Sequence, residues 1–262
     1  MKRIVSLVPS LTESICALGL KDELVACTAF CVEPKGLHHS VALVGGTKDP
    51  NIEAIKELSP THILLNTEEN RAADIEALKD VAPCLVTFPK SPLDVFGLWE
   101  ELGRFLGLQE VAAAKVNELQ KCFESLQTAK QEKPDSGSKK VAYLIWRNPY
   151  MVAAKDTYID ECLRLAGFVN AFEDANEGLR YPEVTVKEFA EREVECILLS
   201  SEPFAFRKRH AQEIRDQQST SVEICKVDGK LFSWYGETTT ELIKKLTMYF
   251  CNPEGSKLFM PM

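Results

Sequence analysis

The stretch Asn51 to Glu68, NIEAIKELSPTHILLNTE, recurs in pattern as Thr185 to Glu202, TVKEFAEREVECILLSSE, at a constant offset of 185 − 51 = 134 residues. Each copy reads as a short amphipathic helix followed by an apolar strand. Ile52, Ile55 and Leu58 correspond to Val186 and Phe189 as helix core positions, and Ile63-Leu64-Leu65 corresponds to Ile197-Leu198-Leu199. Each strand then turns polar and ends in a carboxylate, Glu68 or Glu202. The repeat implies two similar α/β lobes. A ligand site between such lobes would be built from loops leaving the carboxyl ends of the strands, where open α/β sheets carry their chemistry.

The 262 residues suffice for two cores of about 100 residues or more each. A net charge of −8, with no basic cluster denser than Arg207-Lys208-Arg209, argues against a nucleic-acid surface. The opening Met1-Lys2-Arg3 runs into Ile4–Val8 and then Pro9, an apolar stretch too short for a signal peptide or a membrane span. Nine cysteines, an odd number without pairing rhythm, fit reduced thiols. The expectation is a cytoplasmic protein without membrane insertion, or a periplasmic one if the true start lies upstream.

Strand-like runs at Ile4–Val8, Leu24–Thr28, Val41–Val44, His62–Asn66 and Cys84–Phe88 alternate with helical patterns at Leu11–Leu18, Asn51–Leu58 and Asn70–Val81, a βα rhythm. Ser10 with Glu13 reads as a capping box for the first helix, Gly19 as its stop, and Thr185 with Glu188 repeats the box. Helical patterns at Leu93–Leu106 and Val111–Ala129 follow, the second long enough to join two lobes. The polar run Gln131–Lys139 marks the entry to the second half, where Val141–Trp146, Cys196–Ser200 and Val222–Val227 read as strands and Glu237–Phe250 as the closing helix. The expected architecture is two Rossmann-like α/β lobes, residues 1–107 and 132–262, joined by one backbone helix over 108–131.

The strand ends gather Ser10, Thr12, Phe30, Thr47, Arg71, Trp146, Arg147, Tyr158, Tyr181, Trp234 and Tyr235. Flat aromatic faces with arginine and hydroxyl donors suit a sizeable, partly apolar ligand with a polar rim, such as a macrocycle; the competing reading is that about half of the aromatics plug their own lobe. Gly45-Gly46-Thr47-Lys48 lacks the spacing of a phosphate loop and reads as a turn. Cys27, Cys31, His38 and His39 have zinc-type atoms without finger spacing, so no protein-held metal is expected. No nucleophile elbow is present. Glu68 and Glu202 read equally as acid/base, capping or partner-docking groups.

Arg3–Glu13 (RIVSLVPSLTE), then Val44-Gly45-Gly46-Thr47, then Leu58–Leu64 (LSPTHIL), resemble the cobalamin- and siderophore-binding proteins of ABC importers, the helical-backbone metal receptor group. Ile145-Trp146-Arg147, Asp156-Thr157-Tyr158, Ser201–Phe204 and Ser233-Trp234-Tyr235 continue the likeness in order. The resemblance implies a non-enzymatic monomer that holds a metal chelate or corrinoid between two lobes, the cobalt or iron being carried by the ligand. It further implies docking to an ABC permease through acidic residues, for which Glu68, Glu69 and Glu202 are the candidates. Glu237-Thr238 stands where a small residue and Arg would be expected after Trp-Tyr-Gly. An enzyme acting on a tetrapyrrole or metal chelate, of chelatase or corrinoid-salvage type, is the alternative, and a protein-docking scaffold a third.

Overall fold

The structure, a computed structural model, describes residues 1–132, 138–175, 178–217, 222–253 and 255–262. Residues 133–137 of the expected linker therefore lie outside the described residues. The chain divides into two compact units: Met1–Pro89 with Leu93–Gln120 and Trp234–Thr240, and Lys90–Pro92 with Lys121–Ser233 and Glu241–Met262.

In the first unit, β1 (Ile4–Ser6), β2 (Leu24–Cys27), β3 (Ala42–Leu43), β4 (His62–Asn66) and β5 (Cys84–Thr87) form a parallel sheet in the order β3-β2-β1-β4-β5. The strand order reverses between β1 and β4, so the loops leaving those two strands diverge and leave room at their carboxyl ends. Helices α1 (Pro9–Ala17), α2 (Ile52–Glu57), α3 (Ala72–Lys79) and α4 (Asp94–Leu106) complete the unit. Side-chain alternation sends Ile63 and Leu65 to one face, where they meet Ile55, Ile75 and Leu78. Ile55 is fully buried, a contribution of about 2 kcal/mol for a side chain of that size.

Helix α5 (Gln109–Glu132) is continuous over 24 residues. Its first half, through Gln120, belongs to the first unit and the remainder to the second. The division thus falls inside the helix, where the sequence pattern set it apart as a separate connector.

In the second unit, β6 (Lys140–Trp146), β10 (Cys196–Ser200) and β11 (Glu223–Val227) form a parallel centre. Strands β7 (Tyr150–Val152), β9 (Glu183–Val184) and β12 (Met260–Pro261) add antiparallel edges, and β8 (Val169–Asn170) also pairs with β6. The sheet is accordingly mixed, because β6 turns straight back through Arg147–Pro149 into β7 where a parallel neighbour would need a crossover. Helices α6 (Tyr158–Leu165), α7 (Val186–Glu191), α8 (Lys208–Asp216), α9 (Gly229–Ser233) and α10 (Glu237–Cys251) complete the element order.

The internal repeat is exact at the level of elements. Strand β4 begins at residue 62 and β10 at 196, and 196 − 62 = 134. Ile55 and Phe189 are both fully buried, and 189 − 55 = 134. Ser59 and Glu193, again 193 − 59 = 134, both adopt positive φ after their helices. The caps fall at equivalent positions but use opposite halves of a capping box: Asn51 Oδ1 accepts the Ala54 N–H at 3.0 Å, whereas the Glu188 carboxylate accepts the Thr185 N–H at 2.7 Å. The box expected at Ser10 and Glu13 does not form. Helix α1 starts at Pro9 with Val8 as its cap, since proline at the first position replaces an orphan N–H, which leaves Ser10 inside the first turn.

Candidate functional site

Each unit carries its distinctive polar and aromatic residues on the loops that follow the carboxyl ends of its strands. In the first unit these loops are tied together by Asn70. Its Nδ2 donates to Leu7 O at 3.3 Å and Thr47 O at 2.9 Å, while its Oδ1 accepts the Asn66 N–H at 2.9 Å. One buried amide therefore links the loops after β1, β3 and β4, with donors and acceptor all used.

The acidic residues are held by the same device in both units. Asn66, the last residue of β4, accepts the N–H groups of Glu68 at 2.7 Å and Glu69 at 3.0 Å through its Oδ1. Ser200, the last residue of β10 and exactly 134 positions on, accepts the Glu202 N–H at 3.2 Å through Oγ and donates to Glu202 O at 2.5 Å. Lys48 Nζ donates to Glu68 O at 2.5 Å, and Ser233 Oγ to Glu202 Oε1 at 3.3 Å. Gly229 lets α9 approach, because a Cβ there would lie 2.4 Å from Ser200 Oγ and 2.6 Å from Glu202 Cγ. Burial pushes the Glu69 carboxyl above the usual carboxylate range and the Glu68 charge adds to this, with Lys48 opposing.

Among the expected ligand residues of the first unit, Phe30 and Arg71 are exposed. Ser10, Thr12 and Thr47 are buried. Thr12 Oγ1 lies 2.8 Å from Ser6 Oγ, 3.0 Å from Val8 O and 3.1 Å from Cys31 Sγ, so it braces the loops from inside. Cys31 also sits 3.2 Å from Thr28 Oγ1, and hydrogen bonds from Cys27 and these two hydroxyls lower its thiol pKa against the effect of burial. His38 and His39 are exposed, and no metal group forms from them and these thiols among the described residues. The Gly45–Lys48 segment is a turn closed by a Gly45–Pro50 bridge.

Trp234 and Tyr235, assigned from the sequence to the second lobe, belong to the first unit. Both are buried. Gly236 explains how this segment docks: at φ +88° it avoids the strain of an L side chain, and a Cβ there would fall 2.0 Å from Ser14 Oγ on α1. Glu237 then pairs with Lys115 at 2.7 Å.

In the second unit, Trp146 ends β6 with its ring edge-on to Phe204, centroids 5.8 Å apart, and Phe204 leads on to Phe206 and His210. Arg147 is engaged by Glu213 at 2.9 Å. Tyr158 is buried at the start of α6, and Tyr181 is half-buried beneath Arg180 at 5.7 Å.

Phe30, Phe88 and Trp146 are the exposed aromatic side chains among the described residues, at 60%, 40% and 40%. All three lie at or just beyond the carboxyl end of a strand, β2, β5 and β6 respectively. Phe88 also lines a hollow of about 450 Å³ with Thr87, Leu93, Asp94 and Glu101. The sequence pattern places Phe88 inside a strand and Asn66 and Ser200 at strand ends, and only the matching place of Asn66 and Ser200 in the repeat signals their shared part in holding the carboxylates.

Comparison with known proteins follows the same lines. Residues 4–221 match the family described as periplasmic binding protein. The vitamin B12-binding protein of Vibrio vulnificus is 24% identical over 201 residues, 76% of this chain and 71% of that protein. The crystal structure of the periplasmic vitamin B12 binding protein of Vibrio cholerae superposes with a TM-score of 0.78 at 20% identity, covering 97% of this chain and 98% of that one. The periplasmic heme-binding protein RhuT of a Roseiflexus species gives 0.79 at 18% identity, covering 95% and 97%. At such identities the structural likeness establishes the fold.

Proposed function

The chain belongs to the periplasmic binding protein family, and from that premise we propose that it is a receptor for a cobalamin-like, haem-like or other chelated-metal ligand, engaged by strand-end loops. As a member of a family of binding proteins it is not read as an enzyme. The observation that carries the ligand class is the placement of Phe30, Phe88 and Trp146. A chain that buries most of its aromatic rings leaves three open at strand ends, where flat apolar faces suit a planar macrocycle. Vitamin B12 and heme, named for the relatives above, both have that shape.

Docking to an ABC permease is part of the proposal. Glu68 and Glu202, held by Asn66 and Ser200 at equivalent positions, offer one carboxylate per unit. A periplasmic location is favoured over the cytoplasmic one by the relatives' own descriptions. No helix among the described residues is long and apolar enough to cross a membrane.

Titration of the purified chain with cyanocobalamin and with haem, followed by tryptophan quenching, tests the ligand class. Saturable quenching with one of them is expected. No saturable signal with any tetrapyrrole or ferric chelate removes the proposal.

A further inference from the structure

We propose that Cys196, Cys225 and Glu223 form a binding site for a thiophilic divalent ion of the zinc class, at the amino-terminal edge of the second unit's sheet. The two thiol sulfurs and a carboxylate oxygen all lie within 4.8 Å of one another. In a tetrahedral zinc site with Zn–S near 2.3 Å, neighbouring ligand atoms sit roughly 3.5–3.8 Å apart, so rotation of the three side chains by about 1 Å completes the geometry.

The backbone supplies the arrangement. Strands β10 and β11 are parallel with Cys196 opposite Glu223 and Leu198 opposite Cys225, so side-chain alternation sends Cys196, Glu223 and Cys225 to one face of the sheet. Cys225 Sγ already lies 3.4 Å from Glu223 Oε1. The two cysteines are diagonal neighbours, with Cα atoms roughly 8 Å apart by strand spacing and rise, beyond the usual reach of a disulfide. An ion can join them where a sulfur–sulfur bond would require the strands to move.

Charge and access favour the same occupant. Two thiolates and one carboxylate around a divalent ion leave one net negative charge, and Lys139, whose Nζ is 2.7 Å from Glu223 Oε2, neutralises it. The sulfurs are buried while Glu223 is exposed, which gives the ion an entry path and leaves the fourth position to water. Binding releases the two thiol protons to solvent. The site lies at the opposite end of β10 from Ser200 and Glu202, so it is separate from the chelate-binding loops and does not depend on that reading. Its effect would be to fasten β11 to β10.

The test uses the full chain, reduced and metal-free, with zinc and cobalt ions as probes. One tightly bound equivalent is expected, the cobalt form showing thiolate-to-cobalt charge-transfer absorption. Affinity should fall about 100-fold or more in Cys196→Ser and Cys225→Ser and about 10-fold in Glu223→Gln, while Cys27→Ser leaves it unchanged. Zinc should also raise the unfolding midpoint of the wild type and not of Cys225→Ser. If the cysteine variants fail to fold, X-ray absorption on the zinc-loaded wild type decides: two sulfur ligands support the site, and none or four overturn it. Absence of binding to the wild type, or full retention in folded Cys196→Ser, overturns it equally.

Discussion

Tyr235 Oη lies 3.4 Å from Thr87 Oγ1 across 148 residues of sequence, which fastens the segment before α10 to the end of β5. Thr87 Oγ1 is in turn 3.1 Å from Leu65 O, and Ser10 and Asn66 share hydrogen bonds with the same phenol. Burial pushes that phenol's pKa upward, so it stays neutral across the physiological range and acts as a fixed hydrogen-bonding hub for the loops after β1, β4 and β5.

Tyr235→Phe keeps the ring and removes the hub. A buried polar cluster that loses one member costs about 1–2 kcal/mol, read as a lower denaturant midpoint for the first unit. An unchanged midpoint would show that the hydroxyl group contributes nothing to the loops.

Gly236→Ala tests the docking itself. The new methyl group meets Ser14 Oγ and the residue is held at a φ that L side chains rarely adopt, so the loss should exceed about 2 kcal/mol. Adding Ser14→Ala removes the 2.0 Å clash with the hydroxyl, leaving a tight 3.2 Å approach to Cβ and the φ strain, so the double variant should recover part of the loss. Strict additivity of the two losses would mean that the residues are not in contact.

The legible part of the molecule is the part written in local pattern. The 134-residue echo was visible because Ile55, Ile63 and Leu65 recur as Phe189, Ile197 and Leu199, and burial on one face demands apolar residues at those spacings. The device that holds the carboxylates was not visible, since an amide at Asn66 and a hydroxyl at Ser200 do the same work with different letters. Nor does sequence separate Phe88 from Tyr235: the first is exposed, and the second is buried against residues that lie far along the chain. Nor does sequence bring Cys196 and Cys225 together, because their proximity depends on strand register alone.

Glu69 makes stability depend on pH in a defined direction. Its carboxyl titrates above the unfolded value, chiefly through burial, so the folded state tolerates the neutral form better than the charged one. The associated stability is fully present below the ordinary glutamate pKa, about 4.3, and is lost as pH rises through the raised folded value. Glu69→Gln should therefore be more stable than wild type at neutral pH and equal to it in acid. Denaturant midpoints of both proteins across that range check this; a difference that grows towards acid would reverse the assignment.

Trp146 separates ligand contact from folding. It is 40% exposed and touches Phe204 edge-on, so Trp146→Ala removes a surface ring with little core behind it and should move the unfolding midpoint by less than about 1 kcal/mol equivalent. If the ring stacks on a macrocycle, the same change should weaken cyanocobalamin or haem binding by about 10-fold, and Trp146→Phe should restore most of it. Full affinity in Trp146→Ala would place the ligand away from the end of β6, with Phe30 and Phe88 the other exposed aromatic side chains among the described residues.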